Sequence, residues 1–169
     1  MALILIATAG AITANTYVTL GDSNALQEAH PYGAAWVDGD DDAKKQCLVW
    51  ATQLLDDNMD WSGYVTSLTQ ALRWPRSGVM DRDGRNYFDV NTIPAFLKRA
   101  TAEFARYLLA EDRTEERGFG ITSVDADTVS IVFDKHDVQP VLPPSVLSMI
   151  AFCGRANGPG SMTVPLVRV

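Results

Sequence analysis

The sequence has few of the residues from which proteins usually build catalytic or metal sites. It contains two histidines, His30 and His136, and two cysteines, Cys47 and Cys153. A zinc site would need Cys or His in closely spaced pairs, and no such pair occurs. A Gly-x-Ser-x-Gly motif, a phosphate-binding loop and a dinucleotide-binding fingerprint are also missing. We therefore expect a protein that is not an enzyme and that uses no metal or other cofactor.

The two cysteines do not indicate a reactive site. Cys47 falls within a helical apolar pattern, and Cys153 falls within a second apolar segment. Free cysteines in such settings behave as small hydrophobic side chains, so we expect both to be buried. A disulfide would need their Cα atoms within about 7 Å, and the sequence leaves that distance open.

Long apolar runs are missing as well. No stretch of about 18 apolar residues occurs, so we expect no transmembrane helix and no membrane partner. Residues 1–12 are apolar and small, but the first basic residue is Lys44, whereas a secretory signal begins with positive charge. We expect residues 1–12 to belong to the mature protein, as a strand or an arm.

Basic residues are too few to balance the acidic ones. The chain has 14 Lys and Arg against 21 Asp and Glu, which gives a net charge of −7. Residues 61–110 carry four acids and seven bases, whereas both flanking parts have an excess of acids. A protein that holds nucleic acid tightly needs a basic surface, and only this middle part could supply one. The charge therefore disfavours a tight DNA binder but allows a channel through which DNA slides.

The apolar residues, 47% of the chain, are numerous enough for a core and recur at helical spacing. Helices are expected at about residues 24–30, from 40–42 to 58, from 91–92 to before 111, and at about 145–152. The acids of Asp40-Asp41-Asp42 complement the dipole at the start of the second helix, although a metal site is an alternative. In the third helix an apolar stripe should face the core, while Arg99, Glu103 and Arg106 form a charged outer side.

A small β-hairpin and two arms complete the predicted fold. Residues 119–133 contain two β-like segments joined by a short acidic turn, which indicates a hairpin. The glycine-rich residues 154–160 predict a hinge before a C-terminal arm. We predict a mainly α fold with a small β-hairpin, in which a compact body of about four helices carries extended N- and C-terminal arms. Residues 1–110 would form the body and the N-terminal arm, and residues 111–169 the hairpin, a short helix and the C-terminal arm of the same structural unit.

Residues 61–91 form a long connection with little regular structure. Pro75 should end a short preceding helix, because the residue before a proline avoids the helical conformation. Gly84 indicates a tight turn after Asp81-Arg82-Asp83. These alternating acids also resemble a calcium loop, but an EF-hand needs glycine at its sixth position and Glu at its twelfth. Here glycine is fourth and Thr92 is twelfth, so we favour a plain turn.

Several segments carry a resemblance to a known family. They are Ala14 to Val18, Gln70 to Val79 with its Trp74-Pro75-Arg76 sequence, Asp81 to Gly84, and Ile93-Pro94 with the helix that follows. In this order and spacing, over about residues 10–110, the chain resembles a family of phage proteins described as DnaT-like single-stranded DNA-binding proteins. In the context of the virion, such proteins look like head–tail adaptor, or head-completion, proteins. The Trp-Pro-Arg-x-Gly segment is the specific part of the resemblance.

The resemblance implies a structural protein of the virion. It would form a homo-oligomeric, twelve-fold ring between the portal protein and a tail-side neck or tail protein of a tailed phage. It would reside in the neck of the virion after synthesis in the host cytoplasm. DNA would pass through the lumen without specific binding, which suits the negative net charge. This head–tail adaptor is the function that we favour, and the alternative is a single-stranded DNA-binding protein of phage replication.

Each interpretation has its own candidate contact residues. For the adaptor they are Arg73, Trp74, Arg76, Val164, Leu166, Val167 and Val169. For Trp74 itself we favour a core position, and the two roles of the segment can both hold. The apolar tail, expected to add a strand to a neighbouring sheet, could equally be a disordered end. For DNA binding the candidates are the bases Arg73, Arg76, Arg82, Arg85, Lys98 and Arg99, with Trp61, Tyr64, Trp74 and Tyr87 available to stack on bases.

Overall fold

The computed structural model describes residues 3–85, 89, 91–115, 123–126, 129–132 and 140–157. The helices in this part of the chain are α1 (Leu20–Glu28), α2 (Ala34–Val37), α3 (Asp41–Asn58), α4 (Ala95–Ala110) and α5 (Pro144–Ile150), which a 3-10 turn (Ala151–Cys153) extends. The strands pair antiparallel in twos: β1 (Met59–Trp61) with β6 (Gly154–Ala156), β2 (Tyr64–Val65) with β3 (Arg76–Ser77), and β4 (Ser123–Ala126) with β5 (Val129–Val132). The prediction of a mainly α fold with a small β-hairpin is confirmed.

Local capping explains where the first helices begin. The side chain of Asp40 accepts hydrogen bonds from the backbone N–H groups of Asp42 and Ala43, so the acidic run is the start of α3. Helix α1 begins at Leu20 because the hydroxyl of Thr19 accepts from the backbone N–H of Asp22. The predicted start near residue 24 was therefore wrong by about one turn.

The core is built around α3 and α4, with α5 packed against α4. The apolar stripe predicted for α4 is buried, and fully buried side chains of the three helices include Leu48, Leu55, Leu97, Phe104, Val146 and Ile150. Each large apolar side chain removed from water contributes roughly 1.5–3 kcal/mol, so this contact accounts for much of the favourable free energy of folding.

The charged side of α4 differs from its prediction. Glu103 is only 8% exposed, and its carboxylate accepts two hydrogen bonds from the Arg106 guanidinium, at 2.6 and 3.1 Å. The imidazole Nε2 of His30 lies 3.8 Å from the same carboxylate. This carboxylate raises the pKa of Arg106. Glu103 and Arg106 therefore form a largely buried pair rather than a solvated outer side.

The N-terminal segment lies against the body. Residues 3–19 have no regular secondary structure, and the segment doubles back because the side chain of Asn15 bonds the N–H of Ile6 at 2.8 Å and the C=O of Ile4 at 2.9 Å. Tyr17 and Val18 are fully buried in the core.

The glycine-rich stretch begins with a strand instead of a hinge. Residues 154–156 pair with β1, and Gly154 stands opposite Trp61. A Cβ at Gly154 would lie 2.6 Å from the carbonyl oxygen of Asp60, so glycine allows the two backbones to approach closely. The rest of the predicted hinge and the predicted C-terminal arm, with Val164, Leu166, Val167 and Val169, lie outside the described residues.

Among the described helices, none is both long enough and apolar enough to cross a membrane.

Candidate nucleic-acid interface

Trp74 is a core residue. Its side chain is 1% exposed and packs edge to face against Trp61 and Phe96, with ring centroids 5.7 Å apart in each pair. The Trp74–Pro75 peptide bond is cis. The segment directly before Pro75 is not helical. The side chain of Gln70 donates to the carbonyls of Leu72 and Pro75 and holds this segment as a turn. The helix predicted there was wrong.

Arg76 is also an interior residue. Its side chain donates to the carbonyl oxygens of Ser62 (2.7 Å), Gly63 (2.7 Å), Trp61 (3.2 Å) and Arg73 (3.2 Å). Burial lowers its pKa. With 9% of its surface exposed, Arg76 holds the loop that follows β1 and does not lie at a surface where a partner or DNA could bind.

Arg73 is exposed but lies among acids. With Asp56, Asp57 and Asp60 it lines a polar cleft of about 320 Å³. The backbone N–H of Arg73 donates to Asp56 at 3.1 Å. Arg76 also lines the cleft, and two guanidinium groups beside three carboxylates leave it negative, which is unsuitable for a polyanion such as DNA.

Asp56 belongs to a network that fixes the Trp74 segment. The hydroxyl of Tyr17 donates to the Asp56 carboxylate at 2.6 Å and accepts from the backbone N–H of Trp74 at 3.2 Å. Burial raises the pKa of Asp56, and burial together with the Asp56 charge raises the pKa of Tyr17. The network joins the N-terminal segment, α3 and the connection that follows β2.

A second arginine region has the opposite character. A groove of about 530 Å³ runs between the Asp81–Gly84 turn, α4 and the end of α5, and it is lined by Asp81, Arg82, Asp83, Phe96, Arg99, Ser148, Met149 and Phe152. The Arg82 guanidinium donates to the carbonyl of Ser148 at 2.7 Å and lies 5.3 Å from the centre of the Phe152 ring. Phe152 packs on Phe96 with centroids 4.8 Å apart. Aromatic contacts thus extend from the core to the groove.

The turn that carries Arg82 is closed by Asp81. One oxygen of its carboxylate accepts from the backbone N–H groups of Asp83 at 2.9 Å and Arg85 at 2.7 Å. Gly84 has φ of +75°, a conformation that favours glycine. The predicted turn is confirmed, and no cluster of three or more Cys, His, Asp or Glu that could hold a metal occurs in the described part of the chain.

The charges of this groove are free for a ligand. Arg82, Arg85 and Arg99 are exposed, as is Asp83, and within the described ranges none of these side chains forms an ion pair. Lys98, by contrast, pairs with Asp22 at 3.5 Å. The structure therefore brings together two of the six bases predicted for DNA binding, Arg82 and Arg99, and Arg85 follows the turn that carries Arg82.

The predicted aromatic residues do not lie in this groove. Trp61 and Trp74 are buried, Tyr64 is 68% exposed but is not among the lining residues, and Tyr87 lies outside the described part of the chain. The aromatic residues that line the groove are Phe96, which is buried, and Phe152, which is partly exposed. The sequence placed Phe152 at the end of a short apolar helix, and nothing in that pattern distinguishes a groove residue from a core one.

The fold and the groove define a mostly helical protein with a small surface site of arginine and aromatic side chains. The chain belongs to the family described as "Putative DnaT-like ssDNA binding protein", which it matches over residues 1–169. No curated protein and no solved structure matches the chain.

The family match overturns the head–tail adaptor prediction. The family is described by single-stranded DNA binding, and nothing in the match indicates a virion connector. The predictions of a twelve-fold ring, of portal and tail-side partners, and of DNA passage without specific binding were therefore wrong. The net charge of −7 is a poor guide here because it is an average over the whole chain and does not show that Arg82 and Arg99 line one groove. The location in the virion neck stays an untested prediction.

Proposed function

We propose that this chain binds single-stranded DNA through the groove between the Asp81–Gly84 turn and the end of α5, without catalysis. The observation that carries the proposal is the pair of exposed arginines, Arg82 and Arg99, beside the half-exposed Phe152 ring. Proteins that hold single strands combine cationic side chains along the backbone with aromatic rings on which bases stack. The family description supports the same ligand.

The groove assigns a part to each side chain. The guanidinium of Arg99, which forms no ion pair with the described residues, is available to a phosphate, to which arginine can donate two hydrogen bonds. Arg82 lies over Phe152, so a base that stacks on that ring would displace its guanidinium towards the phosphate backbone. Arg85, at the end of the turn, extends the positive surface. Three arginines against a net charge of −7 predict weak binding that depends strongly on salt.

The test is a fluorescence anisotropy titration with a labelled single-stranded oligonucleotide at about 20 mM salt, repeated at rising salt. If three arginines each neutralise one phosphate, the slope of log K against log salt should be about −2, because single strands release about 0.7 counterion per contact. Absence of binding at low salt would exclude the proposed function.

A matched pair of variants locates the binding site. Arg99→Ala should weaken binding about fivefold and make the salt slope shallower, since it removes one phosphate contact. Arg73→Ala removes the same charge from the acidic cleft, where the side chain makes no hydrogen bond to the described residues. It should change the affinity less than twofold. Equal losses in the two variants would show that the groove is not the binding site.

A further inference from the structure

The groove contains a carboxylate that phosphate binding does not explain. Asp83 lines it, is exposed, and forms no ion pair with any described residue. A carboxylate beside a bound polyanion costs affinity through repulsion, unless it accepts hydrogen bonds from the ligand. The same side chain can therefore oppose the phosphates and favour a base.

Resting on the proposed function, we propose that Asp83 reads the bound base, and that the groove prefers bases with an exocyclic amino group over thymine. An ionised carboxylate accepts hydrogen bonds and donates none. Cytosine, adenine and guanine each present an amino group that donates, whereas the corresponding position of thymine is a carbonyl oxygen that only accepts. A base stacked on Phe152 would be held by its ring face regardless of type, so the edge contact would set the preference.

The neighbouring groups leave Asp83 free for this contact. The guanidinium of Arg82 donates to the carbonyl of Ser148 and lies over the Phe152 ring, and a base stacked on that ring would move it towards the phosphates and not towards Asp83. The other carboxylate of the turn, Asp81, already accepts two backbone hydrogen bonds through one of its oxygens. The remaining charged side chain of the groove, Arg99, can only donate. Asp83 is thus a carboxylate of the groove whose oxygens accept no hydrogen bond from the described residues in the structure.

The experiment compares dC12 with dT12 by anisotropy at pH 7.5 and low salt. Both are pyrimidine strands of equal charge, so their phosphate contacts contribute equally. A difference between the two affinities therefore reports the contact to the base edge. Native protein should bind dC12 about three- to tenfold more tightly, which corresponds to one hydrogen bond of ordinary net strength. A strand of 5-methylcytosine controls for the thymine methyl group and should bind like dC12.

The Asp83→Asn variant assigns the preference to one side chain. Its amide can donate as well as accept, and it carries no charge, so the ratio of the two affinities should fall towards one while dT12 binds more tightly than it does to native protein. Asp57→Asn makes the same charge change outside the groove and should keep the native ratio.

The outcomes separate the two proposals. Equal affinity of native protein for dC12 and dT12 would overturn the base preference and leave DNA binding standing. A preference that persists in Asp83→Asn would overturn the role of Asp83. If no strand binds at all, the proposed function fails, and the preference fails with it.

Discussion

Arg76 and Arg82 lie in the same connection between β1 and α4 but differ in burial and in the hydrogen bonds that they donate. Arg76 is buried, and its guanidinium donates to four backbone carbonyls of the surrounding loop. Arg82 is exposed, donates to one carbonyl of the described residues, that of Ser148, and lies 5.3 Å from the centre of the Phe152 ring. Arg76 therefore stabilises the fold, whereas most N–H groups of the Arg82 guanidinium form no hydrogen bond to the described residues and are available to a ligand.

The difference shows that a distinctive sequence pattern can mark a buried structural segment rather than a functional site. The Trp74-Pro75-Arg76 segment is the most distinctive part of the sequence. Its residues serve the fold, because the indole of Trp74 is buried and Arg76 donates hydrogen bonds to the loop carbonyls. The Asp81–Gly84 turn has an ordinary turn composition, yet it presents the unpaired charges. Substitutions around Arg76 should therefore change stability, and substitutions in the turn should change binding.

The largest expected effect comes from two glycines with similar backbone conformations. Gly63 has φ of +69° and Gly84 has φ of +75°. A Cβ at Gly63 would overlap the carbonyl oxygen of Ser77, whereas a Cβ at Gly84 would meet nothing within 4 Å. Gly63→Ala should cost about 4 kcal/mol of unfolding free energy, from strain plus overlap, and Gly84→Ala about 1 kcal/mol, from strain alone. Urea unfolding measures both, and equal losses would contradict the contrast between the two regions.

Arg76→Ala should give the next largest loss, about 3 kcal/mol, because it leaves loop carbonyls without their charged donor. Arg76→Lys should recover little of the loss, since a single ammonium cannot reproduce the planar fork that spans Trp61, Gly63 and Ser62. The control is Arg99→Ala, an exposed position that should stay within about 0.5 kcal/mol of the native protein. The three variants are compared with native protein by urea unfolding with matched slopes, and full rescue by lysine would show that charge alone is needed.

Much of the fold could be predicted from local patterns. Helix α3 was predicted closely, because its acidic cap and apolar period agree with each other. The start of α1 was missed because Thr19 and Ser23 are equally good caps locally, and the choice of Thr19 leaves Ser23 inside the helix and buried. The buried pair of Glu103 and Arg106 was also missed, since periodicity shows which residues share a face but not what covers that face.

The site was predictable only in part. The sequence named Arg82 and Arg99 among six candidate bases, but it could not separate them from Arg76. The separation depends on tertiary contacts: Arg82 meets Ser148 across the fold, and Arg76 meets the backbone beside Trp61. Phe152 was not named at all, because a phenylalanine at the end of an apolar helix carries no local mark of its neighbours.

The smallest expected effect concerns Asp56. Its hydrogen bonds connect the Trp74 segment to α3, so Asp56 belongs with Arg76 to the buried region that stabilises the fold. Burial raises its pKa above the ordinary value, so its charged form is destabilised in the folded protein. The stabilising contribution is therefore greatest at low pH and is lost as the pH rises through the raised pKa. In Asp56→Asn this titration is absent. The unfolding free energy of native protein minus that of the variant should increase as the pH falls from neutral towards 3.8, the ordinary carboxyl value. Urea unfolding of both proteins at several pH values measures this difference, and a difference that shrank on acidification would show that Asp56 is stabilised in its charged form.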